Sequence, residues 1–260
     1  MTLKLAASLG ALCLAAGLAL SPAAAGAATA AKFDKHDFSG TWERYPAPGD
    51  SRSDPSVKAA PPDVTPPPLK PEYQAAYQAN LKKIAEANAR GEPIATGYTH
   101  CIPDGMPTMM MGMFPMEVMQ TPRQINIIQE AYNQVRRIYV GDTLPAIEDA
   151  EPGFWGHSAA HWQGDTLVVD TIGIKDYVRF RDTPHSDQMR IHEEMKVLDP
   201  NHFENRITVT DPVYLTQPWT WTWMYKRKPG YKMYEYVCED NREYADPETG
   251  QARLRVSKPD

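Results

Sequence analysis

The 260-residue chain reads as an all-β protein. The expected architecture is an antiparallel β-barrel, calycin-like, with one N-terminal helix and a proline-rich arm; a two-sheet sandwich is the alternative. Three observations predict this. From Gln124 onward apolar and polar residues alternate with a period of two. The alternating runs are short and separated by turn-forming residues. A single earlier stretch, 72–91, carries the helical period instead. With 42% hydrophobic and 23% charged residues the composition is that of a globular protein, which excludes a fibre, a coiled coil and a wholly disordered chain. A net charge of −6 argues against nucleic acid as a partner, because phosphate binding needs clustered cations.

Residues 1–30 read as a cleaved signal peptide. Lys4 supplies the positive start, Leu5 to Leu20 is an apolar run, and Ser21-Pro22 ends it. Ala28-Thr29-Ala30 offers a small-x-small site, so cleavage is expected after Ala30. The run is too short and too alanine-rich for a membrane anchor. Cys13 lacks the leucine three positions before it that a lipidation site carries. The expected location is periplasmic or secreted, without an anchor after cleavage. Cleavage removes one lysine and no acid, taking the net charge to −7.

A first strand is expected within 31–45, around Phe38-Ser39-Gly40-Thr41-Trp42. The arm, 46–71, holds nine prolines, which forbid helix and central strand alike. Pro71 then suits the first turn of a helix over 72–91. Tyr73, Tyr77, Leu81, Ile84 and Asn88 recur at helical spacing, and Gly91 with Pro93 stops it. The barrel body is assigned to 92–244. Its strands are Gln124–Glu130, Val135–Val140, Trp155–Trp162, Thr166–Ile172, Met189–Leu198, Phe203–Thr210, Trp219–Lys226 and Tyr231–Cys238. Asn133-Gln134, Gln163-Gly164-Asp165 and Lys228-Pro229-Gly230 make hairpin-like connections. The Trp42 strand is expected to close the barrel on the last one, and 245–260 is a polar tail.

Several segments together resemble a family of exported bacterial proteins without an assigned reaction. They are Trp162-Gln163-Gly164-Asp165-Thr166-Leu167-Val168-Val169-Asp170-Thr171, Pro184-His185-Ser186, Asp211-Pro212 with Tyr214, Pro218-Trp219, and Glu235-Tyr236-Val237-Cys238. The resemblance spans roughly residues 100–240 and implies export and a β-rich body. The Gly40-Thr41-Trp42 opening is similar to the first strand of lipocalins and related calycins. It implies a barrel only, since the arm and helix depart from lipocalin order.

After signal cleavage two cysteines remain, Cys101 and Cys238. In an exported chain they are expected to form a disulfide. A loop of about 137 residues would contribute on the order of 4–5 kcal/mol in the chain-entropy model.

Alternation locates the candidate chemistry. Met189, Ile191, Glu193, Met195 and Val197 share one face, which puts a carboxylate on an apolar side where burial without a partner is costly. Arg137 and Arg206 are the candidate partners. A three-residue turn, Pro200 to His202, would set Glu193 opposite Val209 and keep the apolar faces together. Glu235 repeats the pattern among Tyr231, Met233 and Val237. A carboxylate in an apolar barrel suits general acid or base work. His185, in a proline-stiffened loop before the Glu193 strand, is a candidate proton shuttle or a backbone-capping group.

Trp219, Trp221 and Trp223 alternate with threonines and lead to Tyr225, forming a wall for a flat apolar or aromatic molecule, or an aromatic core. Met113 and Met116, from the methionine-rich stretch Met106–Met119, would complete that wall; a Cu(I) site on these thioethers is the third reading. His157 and His161 lie about 13 Å apart along a strand, too far to share an ion, and no metal or cofactor is expected. The leading functional expectation is a cofactor-independent lyase or isomerase moving protons on a hydrophobic or aromatic small molecule, with Glu193, His185 and Glu235 as candidate catalytic groups. The alternative is a periplasmic carrier of an apolar ligand.

Overall fold

A computed structural model describes residues 33–46, 63–92, 94, 101–112, 114–238, 243–245 and 252–254. Residues 1–30, with the expected signal peptide and its cleavage site, lie outside the described residues. So do Met113 and most of the proline arm.

Nine strands close into a barrel in sequence order: β1 (Gly40–Tyr45), β2 (Met116–Gln120), β3 (Gln124–Gln129), β4 (Gln134–Val140), β5 (His157–Gln163), β6 (Thr166–Ile172), β7 (Arg190–Asp199), β8 (His202–Thr210) and β9 (Trp219–Arg227). The helix α1 spans Pro71–Ala89. Two further short strands, β10 (Glu243–Ala245) and β11 (Ala252–Leu254), pair with each other in a separate sheet. Closure is through β1 and β9, with Trp42 opposite Arg227, so the tryptophan-bearing first strand seals the ring against Trp219–Arg227 and not against the expected last strand, Tyr231–Cys238.

The expectation of a purely antiparallel barrel needs one correction. Strands β4 and β5 run parallel, Ile138 opposite Ser158. The reason is topological: in a closed ring with an odd number of strands, directions cannot alternate all the way round. One parallel pair is required, and the long 141–156 connection carries the chain back across the barrel to make it.

Two strand assignments also change. Met116–Gln120 is a barrel strand between β1 and β3, with Met116 and Val118 turned inward. Tyr231–Cys238 is not a strand. It is irregular chain outside the barrel, held by Tyr231 and the Tyr234 amide donating to Glu130 and by Asn133 donating to the Tyr236 carbonyl. Its alternation reports no core, since Tyr234 and Val237 are exposed.

The helix follows its sequence signals. Pro71 occupies the first turn, and the chain leaves after Arg90 through Gly91 at φ +73°. Its apolar stripe packs, with Tyr77 and Ala87 buried; Asn88 is exposed. The described end of the arm lies along one rim. Leu69 bridges Leu215, Thr216 donates to the Pro68 carbonyl, and the Trp219 indole donates to the Thr65 carbonyl.

The core is the barrel interior and its two caps. Phe38, Trp42 and Phe203 fill one end, with Phe203 edge-on to both Phe38 and Trp42. The other end is covered by Met106, Met109 and Met110, by Val64 and Leu69 of the arm, and by Val178 and Phe180 of the β6–β7 connection. Gly105 needs its left-handed φ of +65° to start this cap: a Cβ there would sit 2.4 Å from the Phe154 carbonyl oxygen.

Candidate functional site

Each inward residue is set by strand parity. Ile138 points inward on β4, so Arg136 does too, and its neighbour Arg137 faces solvent. Arg136 is therefore the partner of Glu193, correcting the expectation of Arg137 or Arg206. Both side chains are fully buried. Arg136 Nη1 donates to Glu193 Oε1 at 3.1 Å and Nη2 donates to Oε2. Arg136 Nη2 also donates to Thr171 Oγ1 at 3.0 Å, and Asn205 Nδ2 donates to Glu193 Oε1 at 2.7 Å. The hydroxyls of Ser158 and Thr171 hydrogen-bond at 2.8 Å. Five strands thus contribute one polar layer across the barrel interior. Arg136, Ser158 and Thr171 escaped the sequence reading, although the inward parity of Ile138 already marked Arg136.

The register around Glu193 also differs from expectation. Glu193 faces Ile207, not Val209. The turn is the two-residue Pro200-Asn201, and the register shifts by one between Val197 and Asp199. That bulge restores the parity which a two-residue turn alone would have reversed, so the apolar faces still meet.

Beside this layer stands the aromatic wall, with Trp223 opposite Asn205. Trp219, Trp221, Trp223 and Tyr225 are all buried on the inner face of β9. Phe180, from the β6–β7 connection, stacks on Trp221 with ring centroids 4.7 Å apart and meets Trp219 and Trp223 at 5.3 and 5.7 Å. The Tyr225 hydroxyl donates to the Met110 carbonyl, and its ring stacks on Phe203. Burial, and then the charge of Glu193, pushes the Tyr225 phenol far above its ordinary value.

A small hollow, partly open to solvent, lies at the rim beside Trp219, bounded by Met106, Phe180, His185 and Met189. His185 is placed there by two backbone contacts: Nε2 lies 2.8 Å from the Val178 carbonyl and Nδ1 3.0 Å from that of Ser186. Neither contact reaches Glu193. Asp211 locks the same loop, accepting from the Ser186 amide at 2.6 Å, the Ser186 hydroxyl at 2.9 Å and the Val213 and Tyr214 amides.

The remaining candidates separate. Glu235 is exposed on the irregular 231–238 segment and has no place in the barrel, because its strand does not exist. Met116 faces the interior with Met106, Met109 and Met110 in one apolar cluster. Cys101 and Cys238 form a disulfide, tying the 231–238 segment to the start of the methionine cap. Among the described residues no three His, Cys, Asp or Glu side chains converge as metal ligands, and no helix is long and apolar enough to cross a membrane.

Chemically, the arrangement is a closed barrel whose interior pairs a neutralised ion pair with a stacked aromatic wall, capped by the methionine segment, the arm and the β6–β7 connection. No family model, curated protein or solved structure matches the chain.

Proposed function

We propose that this chain is an exported binding protein which takes a small apolar or aromatic molecule at the capped end of its barrel. The observation that carries the reading is Phe180 lying over Trp221, flanked by Trp219 and Trp223, beside the rim hollow. An aromatic ring already fills the position a ligand ring would take, and it is delivered by a connection rather than by the barrel wall. Loops on a rigid scaffold are the usual carriers of such sites. Export is supported by the disulfide, which persists in oxidising compartments. The motif-bearing resemblance agrees with this placement, since Pro184-His185-Ser186 and Asp211-Pro212 meet at the same rim.

The test is native mass spectrometry of the mature protein purified from its own host, with mapping of its N-terminus. A retained organic mass and an N-terminus near Ala31 are expected. An empty protein whose tryptophan fluorescence ignores aromatic probes would end the binding reading.

A proton-transfer enzyme is the second reading, favoured by one observation: Glu193 sits in the same interior as the wall. Three donors already converge on its two oxygens, two from Arg136 and one from Asn205. A substrate proton must therefore displace one of them, which is why binding is placed first. Turnover of a bound molecule by the native protein, lost in Glu193→Gln, would reverse that order.

A further inference from the structure

Three buried polar atoms on the inner faces of β8 and β9 have no hydrogen-bond partner in the protein: Asn205 Oδ1, Trp221 Nε1 and Trp223 Nε1. They are neighbours by register. Asn205 is the cross-strand partner of Trp223, Trp221 is two residues along the same face, and the two indoles are 5.5 Å apart between centroids. All three residues are more than nine-tenths buried. A buried polar atom left unpaired is costly, so a cluster of three on one face calls for a partner. The orientation of Asn205 is set by Glu193: its amide nitrogen must face the carboxylate, which leaves the oxygen as a pure acceptor.

One acceptor and two donors complement a single hydroxyl group, which offers one O–H donor and two acceptor lone pairs. We infer that the molecule bound in this barrel is an aromatic alcohol or phenol, its hydroxyl donating to Asn205 Oδ1 and accepting from the Trp221 and Trp223 indoles. This rests on the binding reading above and names its ligand class. A carboxylate is the wrong group, because it cannot donate to Asn205, and Arg136 is already neutralised by Glu193. A plain hydrocarbon leaves all three atoms unpaired. The ring of the ligand takes the place of Phe180 over Trp221, so the β6–β7 connection swings away to admit it.

The experiment compares p-cresol, toluene and 4-methylbenzoate by calorimetric titration of the mature protein and of Phe180→Ala, whose truncation vacates the ring position. The expected result is p-cresol binding at least roughly tenfold tighter than toluene, the discrimination that one or two buried hydrogen bonds supply. Phe180→Ala tightens binding of both. Trp221→Phe and Trp223→Phe, which remove the indole N–H donors and keep a smaller aromatic ring, bring the p-cresol to toluene ratio towards one, whatever the truncation does to the affinity of either probe alone. Equal binding of p-cresol and toluene, or preference for 4-methylbenzoate, overturns the hydroxyl assignment and leaves the binding reading standing. Failure of all three probes in both proteins overturns the binding reading and this inference with it.

Discussion

Arg136 on β4 and Glu193 on β7 meet in the barrel interior with both side chains wholly excluded from solvent, joined by two parallel hydrogen bonds. Such a pair adds little stability compared with apolar residues of the same volume, since desolvating two charges offsets most of their attraction. Removing one partner is a different matter, because it strands the other charge. Arg136→Met should therefore cost about 3–5 kcal/mol in urea unfolding, and Arg136→Met with Glu193→Met should regain most of the loss. Single and double variants of equal stability would show that the pair is not buried as described.

Asp211 holds the His185 loop through four donors from Ser186, Val213 and Tyr214. Hydrogen bonds to a carboxylate are among the stronger ones. Asp211→Ala is expected to destabilise by at least about 2 kcal/mol and to raise hydrogen exchange at the Ser186 and Gln188 amides. Unchanged protection there would mean that the loop is fixed by its other contacts.

Alkaline pH should act through the phenols. Tyr231 donates to the Glu130 carboxylate, and that hydrogen bond pushes its pKa up to about 12. In the unfolded chain a tyrosine titrates near ~10. A group raised on folding contributes stability that is complete below the unfolded value and lost as pH climbs towards the folded one. Stability should thus fall between roughly pH 10 and 12, and Tyr231→Phe should flatten that part of the profile. Burial also raises Tyr77, and raises Tyr225 much further, so the Tyr225 phenolate absorbance should appear only as the protein unfolds.

The Cys101–Cys238 bridge closes a loop with a sequence separation of 137 residues. Replacing both cysteines by alanine should lower stability by about 4–5 kcal/mol, chiefly by freeing the unfolded chain. Peptide mapping without reduction should recover the two cysteines in one linked fragment. Free thiols at Cys101 and Cys238 in the protein purified without reductant would contradict it.

The unpredicted strand and the unpredicted ion-pair partner show where sequence reading stops. Met116–Gln120 alternates correctly, but methionine carries little strand signal, and its role became visible only with β1 and β3 on either side. Tyr231–Cys238 alternates just as well and is not a strand, because neither its amides nor its apolar side chains find a sheet to join. For Glu193 the sequence was sufficient to place a carboxylate on an apolar face, since parity is a property of one strand alone.

What the sequence determined by itself were the local quantities: the helix with its proline start and glycine stop, the inward faces of β7, β8 and β9, the aromatic wall, and the pairing of Cys101 with Cys238. Each depends on a period or a count within a short stretch of chain. The tertiary structure alone decided the parallel β4–β5 pair, the bulge before Asp199, the Arg136–Glu193 contact and the seat of Phe180 over Trp221. These depend on ring closure and on contacts between residues tens of positions apart, where the geometry of all nine strands must be satisfied at once.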